Sequence, residues 1–290
     1  MITMRRYGLL AIAVLSTLIV LIMAGCGDDN PAATEQPISV DVFFDFTVGG
    51  QPLLLNQMIY DNPAGRKYSI KTLRFVLSDI QIHSQQGNNV KLKDVHYFTM
   101  SDPSTQTIHF QGGVPHADWD RVTFTFGLDE TRNVRDKYVS MTKFHTEMAW
   151  PTGLGANLGY HYMQLEGNYE VTPGGATAGY TTHTGPRQLD GTNPMFPGVV
   201  DAVPYHFYVN VDLPVTPTHI HEGGTGEVTL HVELNGWYTD HTPTDGNDTQ
   251  YDFTDYPAMI MGNLEAQGKL QANGPFCFSA SMVSSAGTHH

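Results

Sequence analysis

The chain has 290 residues, with 15 Lys and Arg against 29 Asp and Glu, for a formal net charge of −14. That balance argues against nucleic-acid binding, because a phosphate backbone demands the opposite sign. Two cysteines give no disulfide framework, and 14 His, 12 Met and 14 Tyr make a skewed inventory that is compatible with soft-metal chemistry.

At the N-terminus Arg5 and Arg6 precede an apolar run over residues 7–23, followed by Ala24-Gly25-Cys26. A positive n-region, an apolar h-region and small residues at the cleavage point are the marks of a signal peptide. A cysteine directly after Met-Ala-Gly makes it a lipoprotein signal, in which Cys26 is acylated and becomes the new N-terminus. The competing reading is a transmembrane anchor, since the run is close to the roughly 17-residue lower limit of a span. Gly27 rather than Asp after the cysteine points to the outer membrane of a Gram-negative cell. The expected organisation is a lipoprotein signal peptide over 1–25, a lipidated flexible tether over 26–37 (CGDDNPAATEQP) and one β domain over 38–290. The chain would be held at the membrane by the lipid on Cys26, facing the periplasm or the cell exterior. Cys277 is then the lone remaining thiol: a buried small hydrophobe, an intermolecular bridge or a metal ligand.

Beyond the tether the hydrophobic pattern has period two. Residues 39–46 (SVDVFFDF), 73–83 (LRFVLSDIQIH), 122–126 (VTFTF), 205–211 (YHFYVNV) and 228–234 (VTLHVEL) read as strands with one solvated face. Gly, Pro and Asn clusters at 62–65, 87–89, 112–113, 173–175 and 223–224 separate them. The expected fold is all-β, an antiparallel β-sandwich with long loops and few or no helices. Residues 129–143 are the one stretch with the composition of a short helix. Residues 186–197 (PRQLDGTNPMFP) are the best linker-like stretch, and a split into two β lobes there is the alternative to one domain.

The chemistry-bearing residues fall in four places. In residues 148–170 (MAWPTGLGANLGYHYMQLEGNYE), strand alternation groups His161 with Met163 and Leu165, opposite Tyr160, Tyr162 and Gln164. His161 reads first as a satisfied core histidine, with a buried ligand as the alternative. His183 stands at a strand end before the turn at Gly185. His219 and His221 share a strand face, and a hairpin register pairing 219 with 231 would add His231 to make a second metal site. Residues 240–255 carry five Asp without the EF-hand spacing and read as a solvated acidic loop. No G-x-S-x-G, H-E-x-x-H or phosphate-loop pattern occurs, so the sequence specifies no enzyme.

Several segments in order resemble the MbnP-like family of periplasmic and surface copper-binding proteins. They are residues 68–82 (YSIKTLRFVLSDIQI), residues 122–129 (VTFTFGLD) followed by Asn133, Met148-Ala-Trp150, Gly159-Tyr160, Leu165-Glu166-Gly167 and His183-Thr-Gly185. The resemblance spans about residues 38–278. It implies a β-sandwich that holds copper without turnover, for uptake, storage or delivery. It also implies that a Trp in such proteins can be oxidised to kynurenine by a partner di-haem peroxidase-like enzyme. Carried over, Trp150 is the ring to be oxidised and His183 a ligand. Where the family places an aromatic or ligand-type residue two past this Trp, the chain has Thr152, and its loop over 153–159 is long and Gly-rich. The expectation is therefore a site where Trp150, Met148 and His161 come near His183, with His161 taking over part of the ligand set. A reading from another class is a metal-free adhesion or ligand-capture lipoprotein, which calls for Trp119, Trp237 and Tyr238 in a shared solvent-facing cleft.

Overall fold

Alternation becomes two-faced strands in the computed structural model, which describes residues 38–285. The signal peptide, the tether and the lipid site at Cys26 lie outside the described residues. Strand β1 (Ile38–Val48) buries Ile38, Val40, Val42, Phe46 and Val48 and turns the intervening Asp41 and Asp45 to the other face. The short β2 (Gln51–Pro52) and β3 (Tyr60–Asp61) lead into the long β4 (Lys67–Ser84), then β5 (Asn89–Thr99), β6 (Thr107–Val114) and β7 (Asp118–Phe126). After a long irregular stretch come β8 (Met163–Glu170), β9 (Thr177–Thr184), β10 (Val209–His219), β11 (Thr225–Glu233) and β12 (Phe278–Ser285). They form a five-stranded sheet in the order β12-β11-β1-β2 with β6 also on β1, and a seven-stranded sheet in the order β10-β7-β4-β8-β9 with β3 and β5 also on β4. Pairing is antiparallel except between β1 and β11, which run parallel with Val42 opposite Val228. The sandwich-like all-β fold is as the alternation implies.

Two features of the topology depart from expectation. β10 and β11 are consecutive but belong to different sheets, so the hairpin that would set His231 opposite His219 does not form. His219 is instead paired with Asp118 of β7, and His231 with Asp45 of β1. The stretch over 186–197 is no linker either. Arg187 inside it is buried, gripping Asp201 at 2.6 Å and donating to the Gly262 carbonyl at 2.7 Å. The described residues all fall in one compact unit.

The inward rings make the core. Phe75 stacks on Phe98 with centroids 4.6 Å apart, and Phe44, Phe46 and Phe126 surround that pair. Trp237 closes on Phe126 at 4.8 Å, and Tyr68, Tyr180, Tyr238 and Phe253 form a second aromatic group. Trp119, Trp237 and Tyr238 are therefore packed rings rather than a cleft.

The helices are α1 (Thr142–Glu147) and the longer α2 (Leu264–Asn273). The expected helix over 129–143 is mostly turns. The Asp129 carboxylate accepts from the Thr131 and Arg132 amides at 2.9 Å, offering the backbone a local alternative to helix, and Asp136 sits at φ 60°. α2 has few apolar residues, so its periodicity was faint; Asn263 caps it through the Ala266 amide at 3.1 Å. Cys277 is buried, its thiol pKa pushed up by that burial, as a small hydrophobe would be.

Phe75→Ala is expected to cost about 3–5 kcal/mol in urea unfolding, because it empties the centre of this ring cluster. His96 gives a pH dependence. Burial pulls its pKa down to about 4 while its ring bonds the Thr105 carbonyl at 2.8 Å. The unfolded chain binds this proton first, so stability is intact above about pH 6.5 and falls toward pH 4 by up to about 1.4 kcal/mol per pH unit. Urea midpoints of the wild type and His96→Gln between pH 7 and pH 4.5 should differ by that slope.

Candidate functional site

The stretch over 148–162 folds as a loop pinched at its neck. The Trp150 amide donates to the Gly159 carbonyl and the His161 amide to the Met148 carbonyl, both at 2.8 Å, with Ala149 bridged to Tyr160. Asn133 reads the neck like a backbone strand. Its Oδ1 accepts from the Tyr160 amide at 2.7 Å and its Nδ2 donates to the Tyr160 carbonyl at 3.0 Å. Arg135 donates to the carbonyls of Leu158 at 2.7 Å and Trp150 at 3.1 Å. Side chains thus satisfy backbone groups that a sheet would otherwise have to satisfy.

From this neck the chain enters β8, and a bend at Tyr162 interrupts the alternation. His161 therefore leaves the face it would share with Met163 and Leu165. Its ring lies between Trp150, centroid at 4.6 Å, and His183, centroid at 5.2 Å, roughly perpendicular to both. His183 comes from β9, opposite Gln164, and its Nε2–H donates to Glu166 at 2.8 Å. The structure brings together Trp150, His161 and His183 as the sequence led one to expect. Met148 takes part through its carbonyl oxygen, which accepts from His161 Nδ1 at 3.1 Å, while its side chain is buried in the main core.

Gly185 is what lets the indole in. A Cβ there would lie 2.2 Å from the Trp150 ring, so only glycine permits this approach. Gln267 of α2 fixes the strand end, donating to the His183 carbonyl at 2.8 Å and accepting from the Gly185 amide at 3.2 Å.

The hydrogen bonding leaves one buried lone pair available. Since a carbonyl only accepts, His161 Nδ1 carries the proton and Nε2 the lone pair. That Nε2 is buried without a hydrogen-bond partner, and so is the Trp150 indole N–H. Burial first, then the neighbouring His183, pull the His161 pKa down to about 3, so the ring stays neutral at physiological pH. The Glu166 carboxylate accepts from His183 Nε2–H and so fixes which ring nitrogen faces it. The same contact holds the Glu166 carboxyl below the usual carboxylate range. A carboxylate on the far nitrogen orients a ligating imidazole and raises its basicity. A buried neutral imidazole beside a carboxylate-oriented one can hold a soft or borderline metal ion. Among the described residues no three of His, Cys, Asp and Glu converge as a ligand set, so a third donor would have to come from another group.

The other histidines are elsewhere. His219 and His221 rings are 4.8 Å apart on an exposed edge, with His219 Nδ1 3.0 Å from Asp118. His231 is engaged by Asp45 and Ser281 in the other sheet. The Asp-rich loop is held by internal turns and by Lys269, which pairs with Asp248 at 3.3 Å. Sequence reasoning gave no role to Glu166, Asn133, Arg135 or Gln267. Glu166 and Asn133 stood inside the matching segments, whereas Gln267 had no signal, because its role exists only once α2 docks on β9.

The family model for MbnP matches residues 37–260. The chain belongs to the MbnP family. Among solved structures it is similar to MbnP from Methylosinus trichosporium, at 12% identity and a TM-score of 0.44, covering 69% of this chain and 76% of that one. No curated protein matches. Trp150, His161 and His183 all lie inside the region matched by the MbnP model, whereas Gln267 lies beyond it.

Gly185→Ala is expected to push the indole off its seat. It should cost about 1–3 kcal/mol in urea unfolding and change the near-UV circular dichroism, with the far-UV spectrum unchanged.

Proposed function

We propose that this MbnP-family chain is an extracytoplasmic copper holder, anchored through lipid on Cys26 in the outer membrane, that serves copper uptake, storage or delivery without turnover. The observation that carries the reading is the bare Nε2 of buried, neutral His161 beside the carboxylate-oriented His183. A buried polar atom without a partner costs about 1–3 kcal/mol, and a ligand for it is the explanation that fits an imidazole. His161 Nε2 and His183 Nδ1 would hold the ion. Copper in its reduced state accepts few ligands and prefers soft or imidazole donors, which suits a two-imidazole pocket without thiolates.

Trp150 is the candidate third partner. In this reading a di-haem peroxidase-like partner oxidises it to kynurenine, which opens the pyrrole ring and exchanges the orphan indole N–H for an aryl amine and a ketone beside His161. Gly185 and the pinched neck hold the indole against the imidazole. The alternative of an adhesion module loses its support, since Trp119, Trp237 and Tyr238 are all buried.

Metal analysis and peptide mass of protein purified from its own membrane fraction test the reading. Bound copper that His161→Ala and His183→Ala each lower at least tenfold in affinity is the expected result, with the Trp-to-kynurenine mass change on the peptide containing Trp150. Copper affinity unchanged in both variants would overturn the site assignment. Copper with unmodified Trp150 would leave the two imidazoles as the ligands and remove the oxidising partner from the account.

A further inference from the structure

Three methionines meet outside the Trp150 cluster. Met195, Met259 and Met261 line one cavity of about 140 Å³, together with Pro151, Leu154 and Phe196. Pro151 follows Trp150 directly, and Leu154 belongs to the same buried cluster as Trp150, against which Phe196 and Met261 also pack. Met195 and Met259 are 50% and 59% exposed, so neither side chain fills the core.

The cavity is constructed by contacts that do not involve the thioethers. Met259 is held at φ 59°, ψ 29°, a left-handed conformation that is strained for a residue with a bulky side chain. The next residue, Ile260, is buried in the main core, and its carbonyl accepts from Gln267 at 3.2 Å. The strained turn thereby places Met259 and Met261 on either side of a buried anchor and on the same cavity. Gly262 admits the Phe196 ring, since a Cβ there would lie 2.1 Å from it, and the Gly262 carbonyl is tied to Arg187 at 2.7 Å. On the opposite wall Asn193 donates to the Gly153 carbonyl at 2.7 Å and accepts from the Met195 amide at 2.8 Å. Backbone strain held in place by its surroundings is a feature of ligand sites.

The cavity walls bear no ionisable side chain. An uncharged, apolar pocket disfavours hydrated divalent ions, and thioethers select Cu(I) among the biological metals. We propose that Met195, Met259 and Met261 form a second, thioether-only Cu(I) site on the solvent side of the Trp150 cluster, where the ion is taken up before the imidazole pair. The uptake role rests on the copper reading above; the binding site does not. Passage inward is ligand exchange alone. Sulfur–copper bonds break as nitrogen–copper bonds form, and copper stays Cu(I) with no electron or proton moved.

Silver(I), a redox-inert stand-in for Cu(I), tests this by calorimetric titration. The proteins are the wild type, the triple variant Met195→Leu, Met259→Leu, Met261→Leu, the double variant His161→Ala, His183→Ala, and the five-fold combination. Leucine conserves volume, so the fold is expected to persist. The triple variant should bind one equivalent fewer than the wild type. The double His variant should keep one equivalent that the five-fold variant loses. If the Leu substitutions leave stoichiometry and affinity unchanged in both backgrounds, the thioether site is wrong. If only the His substitutions are without effect, the thioether site stands and the imidazole reading fails. A measurement without variants uses the wild type alone. Silver(I) should protect Met195, Met259 and Met261 at least fivefold from peroxide oxidation, read by peptide mass, and equal sulfoxide yields with and without silver would overturn the proposal.

Discussion

Everything about the candidate site depends on holding one imidazole in the interior with a nitrogen left bare. His161 donates its Nδ1–H to the Met148 carbonyl, and no group among the described residues takes the lone pair of Nε2. Such an arrangement does not persist through its own packing, because an unpaired buried polar atom is destabilising. It persists because the backbone on either side is over-determined. The neck bonds between 148–150 and 159–161, the paired bonds of Asn133 to Tyr160 and the grip of Arg135 on two carbonyls leave the ring no other place to go.

The second imidazole is positioned by different means. His183 is carried by a regular strand, set opposite Gln164 by the β8–β9 register, turned by Glu166, and stopped from fraying by Gln267. One ligand candidate thus belongs to a loop stiffened by side chains and the other to a sheet stiffened by a helix. Gly185 couples the two, because the indole that packs on His161 also occupies the space its Cβ would need. A change in any of these supports should move the rings relative to one another without touching either imidazole.

The methionine cavity extends the same logic outward. Its walls are anchored through Arg187, Asn193 and the buried Ile260, and Arg187 in turn is neutralised by Asp201 in a low-dielectric setting where a lone charge would be costly. The stretch over 186–197, which reads as a linker by composition, instead lies between the outer cavity and the inner rings and is tied to both. Pro and Gly in it mark turns that the Arg187–Asp201 pair ties to the rest of the fold.

Period-two alternation in segments such as 39–46 and 122–126 was enough to determine an all-β sandwich, since a strand with one apolar face must bury it against another layer. The ordered segments around Trp150, Leu165-Glu166-Gly167 and His183 were enough to indicate which stretches meet. Pattern could not reveal the parallel pairing of β1 with β11, which separates His231 from His219 by putting consecutive strands in different sheets. Nor could it reveal the bend at Tyr162, which reverses the face of His161, or the docking of the weakly apolar α2 that brings in Gln267. Local periodicity records which face of a strand is buried, but which strand lies beside it is settled by long-range packing, and only the tertiary structure decides that.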